Sequence, residues 1–230
     1  IRRDLEKCQT NGLLKRCHGG AVLAGLNRQE ISFEDKTSEN TGVKRSIARF
    51  AASLVDEGMA VFIDAGTTAF EIAKNICGLP NITIISNDVH TIHLLLHSKA
   101  QLICIGGSMQ KTTGSAFDEF SMQMLEQMHF DIAFFGANSI DSKYHVATPT
   151  QGKMFFKRKV MSRAYQNFLV VDNSKFNKNA LYSINHLREY DGVITDYNFE
   201  NAELDMLRDD GITVIHIPND DETGNTRQAV

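Results

Sequence analysis

No stretch of this 230-residue chain approaches the ~18 uninterrupted apolar residues of a membrane-spanning helix, so no membrane partner is expected. Its first residues, Ile1-Arg2-Arg3-Asp4-Leu5-Glu6, have neither the apolar core nor the small-residue cleavage site of a signal peptide. They also lack an initiator Met, which leads to the expectation of a chain that begins partway through a longer protein. Cysteine is sparse and scattered (Cys8, Cys17, Cys77, Cys104) with no CxxC, which argues against a disulfide framework or zinc site and for a reducing, cytoplasmic setting. The eight histidines show no HExxH spacing, and His90 and His93 read as ordinary helix residues, so no metal is expected. Also missing are the GxSxG nucleophile elbow, the GxxxxGKS/T phosphate loop and the GxGxxG dinucleotide fingerprint. No residue set is marked for catalysis, although folding can unite an acid and a base that spacing does not reveal.

What is present is an ordinary globular composition, 42% hydrophobic and 23% charged, in a chain long enough for one sizeable core and a small appendage. The formal net charge of −4 argues against a surface that binds nucleic acid throughout. The first twenty residues differ: Arg2, Arg3, Lys7, Lys15 and Arg16 stand against Asp4 and Glu6, a net of +3. A basic end on an acidic body suggests two jobs in one chain.

Residues 2–9 read as the end of a helix, followed by the Asn11-Gly12 turn. Residues 13–22 read as two short strands about Gly19-Gly20, and the polar stretch 25–42 reads as a linker. Beyond it, Ile47, Phe50, Ala51, Leu54 and Val55 recur at helical spacing, which predicts an amphipathic helix over 43–56. Short apolar runs of the kind found in strands covered on both faces recur at 59–63, 82–85, 102–105, 132–135, 168–171, 192–194 and 212–217. Helical segments are expected between most of them, at 69–77, 89–96, 121–128, about 152–166 and 200–208. Such alternation predicts an α/β domain with a mainly parallel sheet flanked by helices.

In open α/β sheets, ligands gather at the carboxyl ends of strands. The first strand leads to Asp64-Ala65-Gly66-Thr67-Thr68, where glycine, hydroxyls and a helix N-terminus make an anion cradle. Asp64 does not fit a phosphate contact; it suits a sugar hydroxyl, a lysine or the loop amides. The other reading is a capped turn and nothing more. The recurrence of small polar residues at later strand ends favours a pocket: Ser86-Asn87-Asp88, Gly106-Gly107-Ser108, Gly136-Ala137-Asn138 and Asp172-Asn173-Ser174-Lys175. Lys175 supplies charge for a phosphate. The run Lys157-Arg158-Lys159 is ordinarily a solvated helix face; Lys157 or Arg158 turned inward would instead meet an anionic ligand.

Taken together, these residues resemble the DeoR family of bacterial regulators over nearly the whole chain. Ile1-Arg2-Arg3-Asp4-Leu5, Gly12-Leu13-Leu14-Lys15-Arg16 and His18-Gly19-Gly20-Ala21 are similar to the end of that family's winged helix-turn-helix. Phe62-Ile63-Asp64-Ala65-Gly66-Thr67-Thr68, Ile84-Ile85-Ser86-Asn87, Gly106-Gly107, Phe134-Phe135-Gly136-Ala137, Lys157-Arg158 and Val171-Asp172-Asn173-Ser174-Lys175-Phe176 follow in the family's order. The resemblance implies a DNA-binding remnant over 1–24, a linker over 25–42 and an effector-sensing domain over 43–230, related in fold to ribose-phosphate isomerase. It implies a non-enzymatic, cofactor-free repressor of a sugar-metabolism operon, its grip on operator DNA controlled by a phosphorylated sugar. Asp64, Gly66, Thr67, Thr68, Asn87, Gly106, Gly107, Lys157 and Lys175 would line the effector pocket. Arg2, Arg3, Lys15, Arg16 and His18 would face DNA, mainly its backbone. A homo-oligomer, dimer or tetramer, is implied as well.

One departure from the family stands at Gly152-Lys153, where members often carry a glutamate. The alternatives are a sugar-phosphate isomerase on the same scaffold and a purely structural module. The isomerases' carboxylate-rich DGADE segment corresponds here to Phe135-Gly136-Ala137-Asn138-Ser139, whose amides and hydroxyls make poor general bases, so binding is favoured over turnover.

Overall fold

The computed structural model describes residues 29–218 and the backbone of two short antiparallel strands, Leu14–Cys17 and Gly20–Leu23. The two short strands expected there are present, with Gly20 in the second strand opposite Cys17 rather than in the turn. Arg2, Arg3 and His18 lie outside the described residues, and only the strand backbone is described for Lys15 and Arg16.

Each of the seven apolar runs forms a strand of one parallel sheet. In chain order these are β1 (Ala60–Ile63), β2 (Thr83–Ser86), β3 (Gln101–Cys104), β4 (Phe130–Phe135), β5 (Ala164–Val170), β6 (Gly192–Thr195) and β7 (Thr213–His216). Across the sheet the order is β7-β6-β5-β4-β1-β2-β3. The chain therefore starts in mid-sheet, builds outward to β3, then returns to the other side of β1 and builds outward again. The crevice at the carboxyl ends of β1 and β4, where direction reverses, is where such a sheet offers room for a ligand.

The apolar runs of the five inner strands follow from burial on both faces, whereas the edge strands β3 and β7 are only partly covered. Side chains alternate along each strand, so Phe62, Ala133, Phe135, Leu169 and Val193 enter one core while Val61, Ile63, Ile132, Phe134, Phe168, Val170 and Ile194 enter the other. The second core is closed by α2 (Thr41–Ala52), through Val43, Ile47, Ala48 and Ala51, and by α3 (Thr67–Ile76), through Ala69, Ile72, Ala73 and Ile76. The first lies against α5 (Glu119–Glu126), α6 (Gln151–Met161) and α7 (Asn201–Asp209), through Leu125, Phe156, Val160 and Leu207. The remaining helix between β2 and β3 is α4 (Val89–Leu95), N-capped by Asp88 through the Thr91 amide. None of these described helices is long and apolar enough to cross a membrane.

Three features differ from expectation. Helix α6 ends at Met161 rather than 166, because Ala164–Asn167 already pair with β4; the polar Gln166 and Asn167 mask that half of β5. A three-stranded antiparallel sheet (Ser139–Ile140, His145–Thr148, Tyr182–His186) and a hairpin of Met109–Gln110 with Ser115–Ala116 hold residues expected as loops.

The third difference is in the expected linker, whose described part folds onto the domain. Phe33–Ser38 is a helix, α1, capped by the Ser32 hydroxyl, which accepts from the Asp35 amide at 3.1 Å. No α1 residue is fully buried. Its anchors come from elsewhere: the Phe33 ring stacks on His90 (centroids 3.7 Å apart), and the Phe33 amide donates to Thr112. At its far end the buried Lys44 ammonium donates to the carbonyls of Lys36 and Glu39, closing the last turn as a cation should.

Candidate functional site

Strand β1 runs straight into Asp64, whose amide donates to the Phe134 carbonyl of β4 at 3.1 Å. Its carboxylate, 3% exposed, lies across the crevice between β1 and β4. Oδ2 accepts from the Gly136 amide at 3.0 Å and from Lys157 Nζ at 2.5 Å, and Lys157 also donates to the Gly136 carbonyl at 2.7 Å. Asp64 thus takes the lysine and loop-amide partners expected of it. The helix N-terminus beside it stays open, since Gly66 at the cap position provides no side-chain acceptor for the first amides of α3.

The neighbouring strand ends complete a cavity of about 70 Å³. From β2 comes Asn87, 2% exposed, whose amide donates to the Ala116 carbonyl at 2.9 Å while Oδ1 has no donor among the described residues. The hairpin pinned there adds Thr113 and Ser115, hydroxyl to hydroxyl at 2.8 Å. After β5 the 3₁₀ turn Asn173–Lys175 brings in Lys175, 3.9 Å from Asp172. Both the amide and the side chain of Asn173 donate to Asp196, which fixes that turn.

Two more lysines enter from unexpected places. Lys153, on the same face of α6 as Lys157, donates to Thr113 at 3.2 Å and to Glu30 at 2.9 Å. Lys36 of α1 lies 3.7 Å from the other oxygen of Glu30. The four ammoniums feel one another. Burial is the main cause that brings Lys36 down to about 8; Glu30 opposes it, and Lys153, Lys175 and Lys157 add to it. Burial likewise lowers Lys153, against the pull of Glu30. For Glu30 burial pushes upward, but Lys153, Lys36 and the Asn138 amide outweigh it and hold the carboxyl below the usual glutamate value.

Of the residues expected in a pocket, Asp64, Gly66, Thr67, Thr68, Asn87, Lys157 and Lys175 come together around this cavity. Gly106 and Gly107 do not line it: their strand, β3, is at the sheet edge with β2 between it and β1. Arg158 also turns away, donating to the carbonyls of Ile184 and Ser183. Sequence reasoning missed Glu30, Lys36, Lys153, Thr113 and Ser115; the only signal was the departure at Gly152-Lys153.

The DeoR C terminal sensor domain family matches residues 39–197, more than half of the chain. The chain belongs to the DeoR family. A DeoR-like helix-turn-helix domain matches residues 1–25, so this DeoR-family regulator carries DNA-binding sequence ahead of its sensor domain. A protein of Escherichia coli O157:H7 named as an aga operon transcriptional repressor is 31% identical over 94% of this chain and 81% of that protein. The lactose phosphotransferase system repressor of Staphylococcus aureus is 31% identical over 87% of this chain and 80% of that one. Among solved structures, ribose 5-phosphate isomerase A from Methanocaldococcus jannaschii is similar at a TM-score of 0.45 and 19% identity, over 60% of this chain and 55% of that chain.

Gly107 in this DeoR chain has a structural task. Its φ is +128°, and a Cβ there would stand 2.7 Å from Oδ1 of Asp118, the N-cap of α5. Gly107→Ala is expected to destabilise the fold by about 2–4 kcal/mol, from backbone strain plus a disturbed cap, in urea unfolding. Phosphate affinity of the folded fraction should be unchanged; a large loss would return Gly107 to the binding site.

Proposed function

We propose that this regulator is a repressor of a sugar-metabolism operon whose effector, a phosphorylated sugar, binds in the cavity between the ends of β1 and β4. The observation that carries this reading is the convergence of four lysines, Lys36, Lys153, Lys157 and Lys175, on one cavity beside the open N-terminus of α3. Cations and free amides together suit a phosphate. Oδ1 of Asn87, unpartnered among the described residues, offers an acceptor to a sugar hydroxyl, and Thr67, Thr68, Thr113 and Ser115 add hydroxyls of their own. Gly66 lets the backbone approach the ligand.

The action proposed is binding without turnover. Asp64, Glu30 and Asp172 are each held by a lysine, and Glu30, kept below its usual pKa, makes a weak general base. No cofactor enters the proposal. Operator contacts are assigned to Arg2, Arg3, Lys15, Arg16 and His18, in a cytoplasmic homo-oligomer whose symmetry matches paired half-sites. The effector acts by binding the operator-competent and released forms with different affinity.

A thermal-shift screen of the 230-residue chain against phosphorylated sugars, with unphosphorylated sugars as controls, tests the reading. One sugar phosphate is expected to stabilise the fold by about 2.7 kcal/mol at one hundred times its Kd. The shift should vanish in Thr67→Ala and Lys175→Ala. Stabilisation by no phosphorylated sugar would sink the effector site, and turnover of the ligand found would restore the isomerase alternative.

A further inference from the structure

The Glu30 carboxylate, 5% exposed, has four partners among the described residues: Lys153 at 2.9 Å, Thr150 at 3.1 Å, Asn138 at 2.8 Å and Lys36 at 3.7 Å. Lys36, Asn138 and Lys153 line the cavity, so the carboxylate is held by groups that an anionic ligand would also use. Glu30 comes from none of the core elements. It stands just beyond the matched helix-turn-helix, which ends at 25, on the segment that leads into α1.

Charge and space both set Glu30 against an incoming ligand. Around the cavity four lysines meet three carboxylates: Asp64 with Lys157, Asp172 with Lys175, and Glu30 with Lys153, Lys36 lying near Glu30. A phosphate monoester brings about −1.5 to −2 at pH 7 and competes with these carboxylates for the same lysines. A carboxylate that loses its ammonium in a buried site is favoured to leave it. Asp64 and Asp172 follow directly on core strands; Glu30 stands on a segment whose helix has six residues, none fully buried. The cavity of about 70 Å³ is also small beside the ~300–1,000 Å³ of ordinary small-molecule pockets. Ile31, Phe33 and Lys36 form one of its walls, on a segment whose helix buries no residue fully.

We propose that Glu30, which contacts the lining residues from behind, is a tethered competitor for the cavity's lysines, which an anionic ligand displaces, so that binding loosens the segment joining the sensor to the DNA-binding end while the Lys36 ammonium passes from Glu30 to the ligand. This rests on the effector-site reading above. The displaced state is the one that differs between ligand-free and ligand-bound protein, and the connecting segment carries that difference toward residues 1–25.

The test uses inorganic phosphate as the probe and the 230-residue chain, by calorimetric titration of wild type, Glu30→Gln and Lys175→Ala. Glu30→Gln removes the competing charge and is expected to bind phosphate about tenfold more tightly, as relief of that competition requires. In the wild type, phosphate is expected to speed amide hydrogen exchange over 33–38. Equal or weaker binding by Glu30→Gln, or slower exchange over 33–38 with phosphate, overturns the proposal while the site stands, provided Lys175→Ala abolishes binding. Phosphate binding absent from both wild type and Glu30→Gln, or undiminished by Lys175→Ala, overturns the site reading and this proposal with it.

Discussion

Lys157→Met is expected to destabilise the sensor domain by about 3–5 kcal/mol and to abolish binding of the sugar phosphate. The reason is the state in which it leaves Asp64. That carboxylate is 3% exposed, and among the described residues Lys157 is its one cationic partner within salt-bridge distance; of its described partners the Gly136 amide alone then has to compensate a buried charge. The carbonyl of Gly136 loses a donor as well. A second variant separates the two effects. Asp64→Asn combined with Lys157→Met leaves no charge behind and is expected to recover most of the lost stability, because isolated buried charge, more than a missing ion pair, is what destabilises. Phosphate affinity should not recover, since the ammonium is still gone. Urea unfolding and calorimetric titration of the single and double variants read both quantities. A Lys157→Met protein that unfolds like the wild type would remove the pair from the account of the crevice.

Affinity for the sugar phosphate is expected to fall about a hundredfold between pH 7 and pH 10, with the descent beginning near pH 8. Lys36 titrates at about 8 in the ligand-free protein, chiefly because of burial and then because other ammoniums stand near it. A phosphate placed among those ammoniums raises that value in the complex, so the ligand prefers the protonated lysine. The charge is fully present below pH 8 and is lost as the pH rises through it, and each unit above 8 lowers affinity about tenfold until the complex itself loses the proton. Below about pH 6 the ligand's own second protonation weakens binding from the other side. Titrations from pH 5.5 to 10 on wild type and Lys36→Met settle the matter. Lys36→Met should bind weakly and lose the step near pH 8; an unchanged step in that variant would assign the titration to another group.

The layer architecture was legible because its signals are local. Seven apolar runs became seven strands; in the inner five a strand covered on both faces must be largely apolar, and Phe62 between Val61 and Ile63 serves one core while its neighbours serve the other. The strand pair at Leu14–Cys17 and Gly20–Leu23 was legible from the glycines between its apolar residues, although Gly20 pairs within the strand. Helix α1 was not legible. It is short and polar, and what holds it is Lys44 and His90, neither of which marks a helix over 33–38 in the local sequence. Lys157 and Arg158 show the same limit: one helical step apart, the first enters the crevice and the second binds the carbonyls of another sheet. An unbroken charge run has no periodicity from which to phase the helix.

By itself the sequence determined the family, the alternation of strands and helices, and most of the strand-end loops that line the cavity, because each is written in contiguous residues. Strand order it left open, and strand order decided which loops meet. Asn87 and Lys175 reach the cavity because β2 and β5 flank the central pair β1 and β4, while Gly107 does not because β3 lies beyond β2 at the edge. Tertiary structure alone turned Lys36 and Lys153 inward and brought Glu30 to them. A lysine's default is water, and only neighbours distant in sequence can make burial of its charge tolerable.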